Sequence, residues 1–256
     1  RCLSRGLGDV YKRQYLYSMA LKKLSNIQLE PHFHHSIKFK KRDFKFTTRQ
    51  RRFLATLLDP EVKILFVSGP AGSSKTYMSL YGSLRLMAED PEKELLYVRS
   101  IAESADKGLG SLPGDMTEKF NPFLMPLYDK LEEIVFEGDT AFLKQKGRIS
   151  AVPINFLRGA HWNNKLIVAD EAQNFTFKEL TTLVTRLGEG SKLIICGDFM
   201  QSDINGRTGF KEMFGLFSDE DSVQNGIHSF SFDRTDIVRS KILKFIISKL
   251  ETHKKV

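Results

Sequence analysis

Short apolar runs alternating with amphipathic stretches dominate the chain from about residue 45 onward. KILFVSG, ELLYVRS, ISAVPINFL, KLIVADEA, KLIICGD and IHSFSF are compact runs bounded by turn residues, the pattern of strands buried on both faces. TTRQRRFLATLLDP reads as a helix opened by a Thr cap and ended at Asp59-Pro60. From Lys75 to Met87 the apolar residues Met78, Leu80, Tyr81, Leu84 and Met87 recur at helical spacing, and Pro91 lies beyond the end. LPGDMTEKFNPFLMPLYDKLEEI reads as a Pro-punctuated insertion that ends in a helix. Strands alternating with helices predict a mainly parallel sheet covered on both faces, a three-layer α/β domain over residues 45–256.

Composition leaves that picture intact. The 256 residues are 41% apolar and 27% charged, as in an ordinary globular protein. No uncharged apolar run reaches the roughly 18 residues a membrane helix needs. The two cysteines exclude a disulfide framework; Cys196 lies in the apolar run LIIC, where a reduced, buried thiol is expected, so a cytoplasmic, reducing setting fits. The net charge of +8 makes a polyanion a plausible partner. Residues 1–14 share no pattern with the rest of the chain and read as a sequencing or cloning scar or a disordered segment. Their four cations and one anion carry +3, so +5 remains for the other residues. Residues 15–44 form a basic N-terminal arm. It reads as a solvated extension with alternating Lys and Phe, or as a nucleic-acid surface on which Phe39, Phe44 or Phe46 would stack. His32, His34 and His35 lack further ligands at metal spacing.

The chemistry centres on Gly69-Pro70-Ala71-Gly72-Ser73-Ser74-Lys75-Thr76, between a strand and a helix. A turn of small residues lets backbone N–H groups converge, and the helix N-terminus adds about half a positive charge. Lys75 can reach the β and γ phosphates, and the Thr76 hydroxyl can coordinate Mg²⁺, the chemistry of a Walker A loop. Ser74 departs from the pattern G-x-x-x-x-G-K-[ST], which has glycine there. If that position needs a positive φ, serine carries a steric cost.

The strand Lys165–Ala169 ends in Asp170-Glu171. A single carboxylate suits Mg²⁺, which keeps several waters, and Asp170 is that candidate. Glu171 can orient or deprotonate the water that attacks the γ-phosphate. A third strand ends in Gly197-Asp198, followed by Gln201. Ligands of open parallel sheets sit at the carboxyl ends of strands, so Asp198 and Gln201 should lie near the γ-phosphate.

These residues resemble the PhoH family of P-loop ATPases. Beyond GPAGSSKT, the resemblance lies in the stretch Gly108–Lys119, in Pro122–Asp129, in Leu157-Arg158-Gly159, in Ala169–Asn174 and in Thr185–Ser191. Gly197-Asp198 with Gln201 and Asp236-Ile237-Val238-Arg239 continue the same order. The resemblance runs from about Gln50 to Ile242 and implies a RecA-like P-loop core related to one half of superfamily 1 helicases. It implies ATP and Mg²⁺ as ligands and RNA or single-stranded DNA as partner. Gln50 stands where such ATPases place a glutamine that reads the adenine edge.

An arginine facing the γ-phosphate accelerates hydrolysis by roughly 10³ to 10⁵. Two-lobed helicases supply it from a second lobe, and this chain has room for one, so Arg158, Arg186 or Arg239 would come from a neighbour. A head-to-tail ring, such as a hexamer, is the expected assembly. The C-terminal lysines Lys241, Lys244, Lys249, Lys254 and Lys255 extend the basic surface. Two alternatives stay open: a P-loop kinase of a small acceptor, and a nucleotide-gated binding or assembly module that does not hydrolyse.

Overall fold

A computed structural model describes residues 37–41, 45–100, 116–157, 161–201, 208–237, 242 and 245, with 116–124 and 156 as backbone only. The first fourteen residues, the three neighbouring histidines, Phe44, Arg158, Arg239 and the C-terminal lysines lie outside the described residues.

Six strands form one sheet, and each begins in a run that reads as a strand in the sequence. They are β1 (Ile64–Ser68), β2 (Glu94–Arg99), β3 (Ile149–Pro153), β4 (Lys165–Asp170), β5 (Lys192–Gly197) and β6 (Ile227–Ser231). Their order is β3-β2-β4-β5-β1-β6, and every pairing is parallel. The helices are α1 (Thr48–Leu58), α2 (Lys75–Glu89), α3 (Met116–Ile134), α4 (Glu137–Gln145), α5 (Phe177–Val184), α6 (Phe210–Leu216) and α7 (Glu220–Gln224). The architecture is a three-layer α/β domain with an all-parallel sheet, and the phosphate-type turn lies between β1 and α2.

Two apolar layers arise from the two-residue period of the strands. Leu65, Val67, Leu95, Tyr97, Leu166, Val168, Ile194 and Cys196 face Phe53 and Leu57 of α1, Met78 and Leu84 of α2 and Leu131 of α3. Phe66, Leu96, Val98, Ile167, Ala169, Leu193 and Ile195 face Phe175, Leu180, Leu183 and Phe210. Cys196 is a free, buried thiol, and burial pushes its pKa up to about 12.

Two expectations change. The insertion is not merely closed by a helix: α3 starts at Met116 and runs through Pro122 and Pro126. Each proline removes a helix hydrogen bond, but Leu127, Leu131 and Ile134, spaced for one face, are buried in the core and hold the helix onto the domain. Phe39 and Phe46 are partly buried and not side chains of a fully solvated arm. Both pack on the core with their rings 5.5 and 5.7 Å from that of Tyr81, and Ile37 is buried beside them. Phe39 also bridges Val135, so residues 37–41 adhere to the domain as an extended segment.

Candidate active site

The turn after β1 folds around its own carbonyls. Gly72 and Ser74 both have positive φ, 79° and 70°. Serine in the left-handed region costs roughly 1–2 kcal/mol relative to glycine, so the departure seen in the sequence carries the strain expected of it. Alternating backbone handedness turns the loop amides toward one concavity at the N-terminus of the 15-residue α2. Lys75 Nζ donates to the carbonyls of Gly69 and Pro70, at 2.6 and 3.0 Å, while Ser73 Oγ donates to Pro70 at 2.8 Å.

The tip of β4 meets this turn. Thr76 Oγ1 donates to Asp170 Oδ1 at 2.8 Å, and Tyr97 donates its hydroxyl proton to Asp170 Oδ2 at 2.6 Å. Asp170 is buried, with a hydroxyl on each oxygen. Burial, then the Asp170 carboxylate, raise the Tyr97 pKa well above its ordinary value. The chain then leaves β4 through Glu171 at φ 54°, a second non-glycine residue in the left-handed region. Burial and the neighbouring Asp170 charge raise the Glu171 pKa, opposed by Gln173, Arg99 and Lys75. Gln173 Nε2 donates to Glu171 Oε2, and its Oε1 accepts the Asp198 amide at 3.0 Å, tying the tips of β4 and β5 together. Strained residues gathered at one place are typical of functional sites.

These parts line one cavity of about 650 Å³ at the carboxyl ends of β1, β2, β4 and β5. Ala71, Gly72, Ser74, Lys75, Thr76, Asp170, Glu171, Asp198 and Gln201 all line it. Gly69, Pro70 and Ser73 support the loop from behind.

Other expected residues lie elsewhere. Gln50 does not line the cavity. It is fully buried in the first turn of α1, where its Oε1 accepts the Thr47 amide at 3.0 Å, and its Nε2 has no hydrogen-bond partner. Thr47 in turn donates to the buried Asp236 at 2.9 Å, and Arg49 pairs with Asp233 and Asp236, so the start of α1 is fastened to the 3₁₀ turn Arg234–Asp236. Arg186 lies just after α5, half-buried, with its carbonyl accepting the Trp162 amide at 3.1 Å; it too is away from the cavity.

Sequence reasoning missed Tyr97, Arg99, Gln173, Lys130 and Glu133. Arg99 closes β2 and lines the cavity. A charged residue at the carboxyl end of the apolar run ELLYVRS was the available signal. Lys130 and Glu133, paired at 2.6 Å on α3, form a wall no local pattern announces.

The lining suits a triphosphate accompanied by a divalent cation. Four carboxylates (Glu133, Asp170, Glu171, Asp198) face three cations (Lys75, Arg99, Lys130), so a bare polyanion would meet net repulsion that Mg²⁺ relieves. The Thr76 hydroxyl and the Asp170 carboxylate, 2.8 Å apart, are the oxygen donors such an ion takes. Among the described residues no group of three or more His, Cys, Asp or Glu could hold a metal by itself, and no helix is long and apolar enough to cross a membrane.

Comparison with known proteins places this geometry among relatives. The model of the PhoH family, described as PhoH-like protein, matches residues 45–251. A PhoH-like protein of Bacillus subtilis is 34% identical over 201 residues, covering 78% of this chain and 61% of that protein. Protein PhoH of Escherichia coli K12 is 30% identical over 187 residues, covering 70% and 51%. The chain thus spans between half and two thirds of the length of these relatives. Among solved structures, the Pif1 helicase of Candida albicans aligns with a TM-score of 0.41 at 16% identity, covering 81% of this chain and 44% of that one.

Proposed function

Because the chain belongs to the PhoH-like family, we propose that it binds ATP with Mg²⁺ and hydrolyses it, coupling hydrolysis to binding or remodelling RNA or single-stranded DNA. The observation that carries this reading is the Thr76–Asp170 hydrogen bond, which joins the phosphate turn to the acidic strand tip and sets Glu171 on the same cavity.

The amides of residues 72–76 and the Lys75 ammonium would hold the β and γ phosphates. Thr76 and Asp170 would hold Mg²⁺, which when bound offsets charge on the phosphate oxygens. Glu171, locked by Gln173, would orient the attacking water and take its proton; burial and the Asp170 charge raise its pKa and so make its carboxylate a stronger base. Gln201 and Asp198, at the tip of β5, would distinguish a terminal phosphate from its absence. Gln50 would take an acceptor of the base through its unpartnered Nε2. A head-to-tail ring in the cytoplasm would bring Arg186 toward a neighbour's nucleotide.

The test is phosphate release from MgATP with no acceptor present, with and without single-stranded RNA and DNA. Release is expected from the wild type, with stimulation by at least one polymer that fades steeply as salt rises. E171Q is expected to lose at least about a hundredfold in rate, the range of a general base. Equal release by E171Q and wild type would reject the assigned mechanism, and phosphate transfer only to an added acceptor would identify a kinase instead.

A further inference from the structure

Of the three cations lining the cavity, two are already engaged. Lys75 is bonded to the Gly69 and Pro70 carbonyls, and Lys130 is paired with Glu133. The Arg99 side chain makes no hydrogen bond or ion pair among the described residues, is partly exposed, and lines the cavity.

Its placement is set by the sheet. Arg99 stands opposite Asp170 in the β2–β4 register. Side chains alternate along a strand, so Arg99 projects to the same face as Tyr97, the face covered by α2 and its preceding turn. The guanidinium therefore emerges beside the Asp170–Thr76 junction, close enough for its charge to act on Glu171. A guanidinium always carries its proton and offers a planar fork of donors matched to phosphate oxygens.

We propose that Arg99 is a catalytic residue that binds the terminal phosphate of the nucleotide held by its own chain. The inference rests on the proposed ATPase activity. In that reaction a water oxygen bonds to the γ-phosphorus, the bond to the β,γ-bridging oxygen breaks, and the water proton passes to Glu171. Arg99 exchanges no atom; it offsets the charge on the γ-oxygens as the bridging bond lengthens. An arginine from a neighbouring subunit is then an addition, not a requirement.

The experiment measures MgATP and MgADP affinities by calorimetry in an E171Q background, where ATP persists. E171Q should prefer ATP. Adding R99A should weaken ATP by at least about tenfold, the range of a charge-assisted hydrogen bond, with ADP held within about twofold. R99K should recover part of the loss, and the ADP affinity checks that each variant is folded. Equal weakening of ATP and ADP, or no change in either, overturns the proposal. An ATP-to-ADP ratio that falls as the protein is diluted would assign the contact to a neighbouring chain and overturn it as well. If E171Q itself binds neither nucleotide, the ATPase reading fails with it, which separates the two failures.

Discussion

Tyr97 and Thr76 hold the two oxygens of Asp170 from opposite sides, at 2.6 and 2.8 Å, so the carboxylate is oriented before any ligand arrives. Tyr97 is buried on β2, a strand beside the one bearing Asp170, and its ring packs into the layer under α2. Y97F keeps the ring and removes the donor, leaving Asp170 Oδ2 buried and unsatisfied. The Mg²⁺ concentration giving half-maximal phosphate release should rise about five- to tenfold, and unfolding free energy should fall by about 1–3 kcal/mol. A magnesium titration and urea denaturation check both; an unchanged magnesium midpoint would deny Tyr97 its positioning role.

Ser74 offers a gain in stability. Its φ of 70° suits glycine, and S74G relieves that strain at the entropic cost of a freer unfolded chain. The net effect should be stabilisation by about 0.5–1 kcal/mol. Thermal unfolding of S74G against wild type measures it, with a lower melting temperature as the contrary result.

Lys192 sits at the amino end of β5, at the opposite end of the strands from the cavity, and its Nζ donates to the carbonyls of Leu57 and Asp59 where α1 ends, both at 2.6 Å. Burial lowers its pKa to about 8. The folded state therefore disfavours the charged lysine. The stability it withholds at neutral pH returns as pH rises through about 8 toward the ordinary value near 10.5. Relative to K192M, wild type should gain on the order of a few kcal/mol across that window. Denaturant midpoints of the two proteins between pH 7 and pH 10.5 should diverge; parallel curves would mean that the amine titrates normally.

Phe39 and Phe46 are partly buried and pack against the core beside Tyr81. F46A should cost roughly 1–3 kcal/mol of stability through lost contact with Tyr81 and leave affinity for single strands unchanged within about twofold. Filter binding of a labelled RNA measures the second quantity, and a large loss there would return the ring to the polymer.

The strands and the phosphate turn were legible because each depends on local pattern: apolar runs for β1 to β6, small residues before Lys75-Thr76, and adjacent acids at the end of β4. Ser74 was legible as a departure, and its backbone angle bears out the cost. Tyr97 and Arg99 were not. Inside ELLYVRS they look like an ordinary core aromatic and a strand-ending cation, and their nearness to Asp170 exists only once β2 lies against β4. The prolines of α3 mislead for a related reason. A helix broken in isolation is retained here by Leu127, Leu131 and Ile134 packing on the core. Gln50 entered through resemblance alone, and no local pattern announced that its Oε1 would close the first turn of α1 while its Nε2 stays without a partner.

The ammonium of Lys75 already spends two of its three protons on carbonyls of its own loop. An arriving anion therefore swaps one oxygen acceptor for another and adds few bonds. Discrimination at this position should then track formal charge on the ligand, so that a sulfate or pyrophosphate competes according to its valence and a neutral isostere of equal shape hardly at all.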